Sequence, residues 1–323
     1  MGIRVIVFIG IGTSLFLILM SFGLKQSLKP RVGEQVPPGP ARSPFDADRA
    51  WAHVTHLVGL GPRPSGSAAM AAQQRYVLEE LRRAGLETRR QQFEAETPRG
   101  PLTMTNLWGV VAGTRPGVIV LSNHYDTRYF SEFSFVGANG AASATGWMLE
   151  MARAIGPQRE GRSLWLLFFD GEESQGAPPR NEGLYGSRHM VSALRDSGEL
   201  TSIETLVNVA MIGDCFLNIS RDGDAPPWLE EIVWNTALRH GYSRHFGNVP
   251  LSIDDSPLPF REAGIPALQL IDFSYGGTQI DHRKNWHTAE DTLDKICPES
   301  LRAVGDVIYH ALPVIDGQLD SIR

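Results

Sequence analysis

From Phe45 onward the sequence switches repeatedly between two hydrophobic periods, and this alternation constrains the fold more than any other feature. Residues 46–60 and 66–84 carry apolar side chains at helical spacing, the second run ending at Gly85. TNLWGVVAG (105–113) and GVIVLSNHYDT (117–127) read as short buried strands. A helical stretch over 141–155, a strand over 163–170 and a helix opening near Leu184 follow. The remaining pattern predicts a strand over 205–214, a helix over 228–241, a strand over 265–272 and a last helix over 298–312. Strands that alternate with helices of about 10 to 15 residues predict βαβ units, a mostly parallel sheet and helices on both faces.

In such a sheet ligands bind beyond the carboxyl ends of the strands, so polar residues that directly follow apolar runs are the ones to inspect. After VIVLS come His124, Asp126 and Thr127; after LWLLFF come Asp170, Glu172 and Glu173. Asp214 follows the strand near 210, and Trp286 and His287 lie in the loop after PALQLIDF. Asp254 and Asp255 stand just before the PLPF segment that leads back to a strand. Two adjacent carboxylates aimed into one pocket raise each other's pKa unless a cation neutralises them. A zinc ion held by one glutamate and by histidine would resolve the conflict and leave the other glutamate as a general acid and base. The whole reading requires His287, with or without His124, to converge on the glutamate pair.

The stretches NHYDTRYF (123–130), FFDGEES (168–174), LYGSRHM (184–190) and NWHTAEDTLDKI (285–296) resemble the zinc aminopeptidase and glutaminyl cyclase superfamily, specifically its glutaminyl-peptide cyclotransferase-like branch. The resemblance spans roughly residues 45–315. It implies a single three-layer α/β domain with a mixed, mainly parallel sheet and one zinc ion at the strand ends. By resemblance, Glu173 and His287 match zinc ligands, Glu172 the acid/base, and Trp286 a wall of the substrate pocket. Asp254 or Asp255 corresponds to the carboxylate that relays protons to Glu172, and His124 to a zinc ligand of the aminopeptidase branch. Two positions depart from the pattern: Gly140 stands where the family has a metal-binding aspartate, and Ala210 replaces a second site carboxylate. Three readings compete: a cyclase acting on N-terminal glutamine with an altered metal site, a peptide-binding member without turnover, and a zinc aminopeptidase. The last suffers most, because a two-zinc site needs a bridging carboxylate that glycine and alanine cannot supply. Peptide or protein N-termini are the implied partners.

Ahead of this body, residues 3–24 carry one charge, Arg4, and form an apolar run long enough to cross a ~30 Å hydrocarbon layer as a helix. The run exceeds the apolar region of a cleavable signal, so residues 1–24 predict a single-pass membrane anchor. Residues 25–44 are a Pro- and Gly-rich linker, leaving 45–323 as the folded body. Lys25, Lys29 and Arg31 oppose Arg4 across the run, so charge leaves orientation open; the body is expected outside the cytoplasm. With 30 Lys+Arg against 36 Asp+Glu and no long basic run, nucleic acid is not an expected partner. Cys215 and Cys297 allow at most one disulfide and match no zinc-finger spacing.

Overall fold

A computed structural model describes residues 42–175, 183–277 and 284–322. The apolar run 3–24 and nearly all of the linker lie outside the described residues. Among the described residues no helix is long and apolar enough to cross a membrane.

The chain runs α1 (Ala47–Gly59), α2 (Ala68–Arg83), β1 (Glu87–Thr97), β2 (Gly100–His124), α3 (Ala144–Ile155), β3 (Gln158–Phe169), α4 (Tyr185–Ser197) and β4 (Ile203–Ala210). It continues through β5 (Ile219–Asp222), α5 (Pro227–Arg239), β6 (Phe246–Leu251), α6 (Leu258–Glu262), β7 (Ala267–Ile271) and α7 (Pro298–Ser321). Side-chain oxygens of Asp46 and Ser67 accept the first free N–H groups of α1 and α2, fixing where those helices begin.

β2 pairs in parallel with β3 and β4, β4 with β7, and β1 lies antiparallel to the first half of β2. The sheet is therefore mixed and mainly parallel. Period-two alternation assigns its faces. Ile119, Leu121, Leu164, Leu166, Phe168, Val207 and Val209 join a core with α1, α2, α3, α5 and α7. Val118, Val120, Trp165, Leu167, Phe169 and Leu206 face the other way, onto α4 and Phe260 of α6. Both faces are covered, giving three layers.

Four expectations need correction. The runs at 105–113 and 117–127 fall on one continuous strand that ends at His124, irregular in register between Leu107 and Val118 rather than broken into two. β1 was not predicted because ETRRQQFEAET buries only Phe93 and Ala95, so it carries almost no apolar signal. The strand predicted over 205–214 stops at Ala210, where Met211 turns into the left-handed region at φ 51°. The last helix passes Pro313 and ends at Ser321, because Ile315 and Leu319 continue into the core.

Asp316 supplies another reason for that extension. Buried Arg162 of β3 donates to Asp316 Oδ1 at 2.7 Å and to Asp320 Oδ1 at 2.9 Å, and its Nε lies 2.8 Å from Glu204 Oε2 of β4. One guanidinium thus ties two strands to the end of α7. Removing one partner of a buried ion pair leaves the others uncompensated, which costs about 3–5 kcal/mol. Arg162→Met is expected to lower the unfolding free energy by about that amount, read by urea denaturation.

Asp272, at the end of β7, accepts from the N–H groups of Asn218 (2.8 Å) and Ser274 (3.0 Å). Burial pushes its carboxyl from 3.8 up to about 7, although these hydrogen bonds pull the other way. The folded chain then keeps a proton that the unfolded chain has released. This contribution to stability is complete below about pH 3.8 and is lost as pH rises toward 7, at about 1.4 kcal/mol per unit. Asp272→Asn cannot ionise, so its unfolding free energy should gain on that of the parent by about that slope between pH 4 and 7. Parallel denaturation curves that keep a constant gap would refute the assignment.

Candidate active site

The strand ends open into a cavity of about 280 Å³ whose walls include His124, Arg128, Glu172, Glu173, Asp254, Asp255, Trp286 and His287. All seven residues expected to act as ligand, acid/base, proton relay or pocket wall line it, whereas the strand-end residues Asp126, Thr127, Asp170 and Asp214 do not. Gly140 and Ala210, the two positions expected to depart from the family pattern, line it as well.

His124 is the last residue of β2, and Glu172 and Glu173 follow β3, its neighbour in the sheet. Gly171 makes the turn between them possible: its φ is 66°, and a Cβ there would fall 2.4 Å from Met104 Sδ. Fully buried Asp126 fixes the next step, its two carboxylate oxygens accepting from the N–H groups of Glu172 and Glu173, each at 3.1 Å. Asp126 therefore sets the backbone from which both glutamates project. Asp170 is tied behind them to Ser65 Oγ (2.6 Å) and Thr105 N (2.8 Å), and burial raises its carboxyl to about 7.

His287 reaches Glu173 from the far loop, Nε2 to Oε1 3.0 Å, with its own backbone left-handed at φ 55°. A non-glycine residue held there stores about 1–3 kcal/mol of strain. Packing holds it in place: Trp286 stacks on the imidazole at 4.0 Å, and Phe130 and Phe135 approach it edge-on. Asp291, four residues on, accepts from Asn139 N (2.7 Å), Gly140 N (3.0 Å) and Tyr275 Oη (2.9 Å), which anchors the loop to the turn before α3. The disulfide Cys215–Cys297 and the Cys297 N–H bond to Gly213 O brace the segment beyond.

The two candidate aspartates differ in setting. Asp254 is exposed at the cavity mouth, whereas Asp255 is buried beside the carboxylate cluster. Asp255 Oδ2 accepts from Gln269 Nε2 (2.8 Å), Gln269 Oε1 from Asn208 Nδ2 (2.8 Å), and Asn208 Oδ1 from Ser122 Oγ (2.7 Å). This buried ladder crosses β2, β4 and β7.

Burial pushes the Glu172 carboxyl well above its ordinary value; His124 opposes the shift, and Asp255, Glu173 and Asp126 add to it. Burial pushes Glu173 the same way, but His287, His124 and Arg128 outweigh it and hold that carboxyl below the ordinary value. Burial lowers His124, yet Glu172 and Asp126 reverse the sign and raise it well above 6.5. Burial likewise raises Asp255. The adjacent glutamates are thus driven apart, Glu172 upward and Glu173 downward.

The donor chemistry suits a single zinc ion. Ligand atoms of His124, Glu172 and Glu173 all lie within 4.8 Å of one another, and His287 Nε2 stands next to Glu173. Imidazole nitrogen and carboxylate oxygen are zinc donors. Gly140 and Ala210 contribute none, and Asp126, Asp214 and Asn139 are committed to backbone N–H groups through Glu172 N, Gly276 N and Gly213 N.

Sequence reasoning passed over Arg128, Gln269 and Asn208. The last two carried a readable signal, since each is a lone amide in an otherwise apolar strand, ALQLI and TLVNVA.

Residues 106–312 match the profile of the family described as Peptidase family M28. Glutaminyl-peptide cyclotransferase of Bos taurus is 28% identical over 291 residues, covering 75% of this chain and 76% of the bovine protein. The crystal structure of Acidobacteriales bacterium glutaminyl cyclase superposes with a TM-score of 0.80 at 33% identity, over 88% of this chain and 100% of that one. A Zn-dependent exopeptidase from Parabacteroides distasonis superposes with a TM-score of 0.75 at 25% identity, over 83% of this chain and 98% of that one.

Proposed function

We propose, for a chain that belongs to peptidase family M28, that it converts N-terminal glutamine of peptides or proteins to pyroglutamate with release of ammonia. The observation that carries this reading is the convergence of His287 on Glu173 at 3.0 Å in the cavity that Glu172 also lines.

The substrate's α-amine enters the carboxylate cluster and its side chain folds back so that the amine nitrogen faces the amide carbon. Glu172 accepts a proton from the amine as the new N–C bond forms and returns it to the departing nitrogen, so that the amide C–N bond breaks and ammonia leaves. Buried Asp255, held by the Gln269–Asn208–Ser122 ladder, keeps negative charge near Glu172 and favours the proton's retention between the two steps. Trp286 and Phe273 shape the wall against which the side chain folds. Glu173, His287 and His124 would hold one zinc ion, and zinc when bound supplies Lewis-acid polarisation of a carbonyl.

A second reading keeps peptide binding without turnover, and the lining residues Gly140 and Ala210 favour it because each lacks a donor. An aminopeptidase with two metal ions is least favoured for the same reason. Ammonia release from a glutaminyl peptide by the zinc-supplied full-length chain tests the first reading; peptide binding without ammonia selects the second. The apolar run at residues 3–24 supports a membrane-tethered form, and the Cys215–Cys297 disulfide supports a body in an oxidising compartment outside the cytoplasm.

A further inference from the structure

Arg128 lies four residues past the end of β2, and the proton transfers proposed above give it no part. It lines the cavity, its guanidinium carbon is 5.6 Å from the Phe130 ring, and its side chain is 23% exposed. Among the described residues its one ion-pair neighbour is Glu173, at 3.9 Å, beyond hydrogen-bond distance. A forked donor on the wall of a cavity is thus available to an incoming anion. A second cation extends the same wall outward. Exposed Arg99 lies 4.0 Å over the ring of Tyr129, itself 41% exposed, and donates to Gln175 Oε1 at 3.1 Å. Tyr129 adjoins Arg128 in the chain and Gln175 adjoins the lining residue Ser174, so the two arginines follow one side of the mouth from the surface inward. Asp254 is the exposed carboxylate among the lining residues.

We infer that this arginine wall reads the residue after the N-terminal one, and that the site selects peptides with an acidic side chain there. The inference rests on the proposed entry of a peptide N-terminus amine-first. With the amine drawn into Glu172, Glu173 and Asp255, the second side chain lies toward the mouth, where Arg128 offers two parallel N–H donors to a carboxylate. A lysine at that place meets Arg128 and Arg99 and gains only Asp254.

The test uses the purified full-length chain and C-terminally labelled pentapeptides that begin Gln-Glu, Gln-Ala or Gln-Lys and are otherwise identical, with binding followed by fluorescence anisotropy at low salt. The Gln-Glu peptide is expected to bind about three- to tenfold more tightly than Gln-Lys, the range of a partly exposed charge-assisted pair. High salt should shrink that ratio. R128Q should bring it below about twofold and R128K should restore part of it; the ratio is the readout, so a general loss of affinity does not imitate the effect. Equal binding of the three peptides, a lysine preference, or an undiminished acid preference in R128Q overturns the inference. Ammonia release from the same peptides separates it from the cyclisation reading. Acid-selective binding without ammonia sinks cyclisation and keeps the selectivity, equal kcat/KM for all three does the reverse, and failure of every peptide to bind sinks both.

Discussion

Glu172→Gln should reduce ammonia release from a glutaminyl peptide by a factor of about 10² to 10⁴, the usual contribution of a positioned acid and base, while peptide affinity changes by only a few fold. The amide is nearly isosteric and fills the same place above Asp126, but it can neither take the amine's proton nor return one. The effect therefore falls on kcat and not on KM. Ammonia assays beside equilibrium peptide binding separate the two quantities. A Glu172→Gln chain that works at the parental rate would place the proton transfer elsewhere, and Asp255, buried in the same cluster, would be the next residue to replace.

The second large effect concerns the two positions where donors are missing. Gly140→Asp combined with Ala210→Asp should tighten zinc binding by about 10- to 100-fold or more, because a single outer hydrogen bond to a metal ligand already carries that much. Gly140 has ordinary backbone dihedrals, and a Cβ there would lie 3.2 Å from Asp291 Oδ2 and 3.7 Å from the Phe135 ring, close but without backbone overlap. An aspartate at 140 must turn away from Asp291, toward the cavity. It also adds a carboxylate to a cluster that already holds Glu172, Glu173 and Asp255, so the metal-free double variant should melt below the parent. Zinc should then raise its melting temperature by more than it raises the parent's, since a ligand stabilises according to its affinity. Calorimetric titration with zinc and paired melting curves check both statements. Equal zinc affinity in the two chains would mean that His124, Glu173 and His287 already suffice.

Much of this was legible from residue order. Continuous apolar runs that end on polar residues located the carboxyl edge of the sheet, and with it Glu172, Glu173 and His124, because burial on both faces leaves a strand little room for charge until it ends. The partnership of His287 with Glu173 rested on motif resemblance, since nothing local ties two residues separated by 114 positions. What stayed hidden was held by non-local hydrogen bonds. Asp126 stood in the sequence as one more acidic residue, but its work is to fix the backbone of the glutamate pair. Asp291, inside a motif that reads as part of the site, braces the turn at Asn139 and Gly140 instead. β1 was invisible for a different reason: an edge strand that exposes most of its side chains needs no apolar pattern, only a partner with free N–H and C=O groups.

The Ser122–Asn208–Gln269–Asp255 ladder means that the site inherits its alignment from how three strands are slid against one another. A one-residue slip of β4 or β7 would turn the amide rungs to the opposite side of the sheet and strand a charge in the interior, so misregistered chains are penalised while they fold. Gly140 and Ala210 are not rungs. Donors can be added or removed at either position without unthreading the scaffold that aims the rest of the pocket.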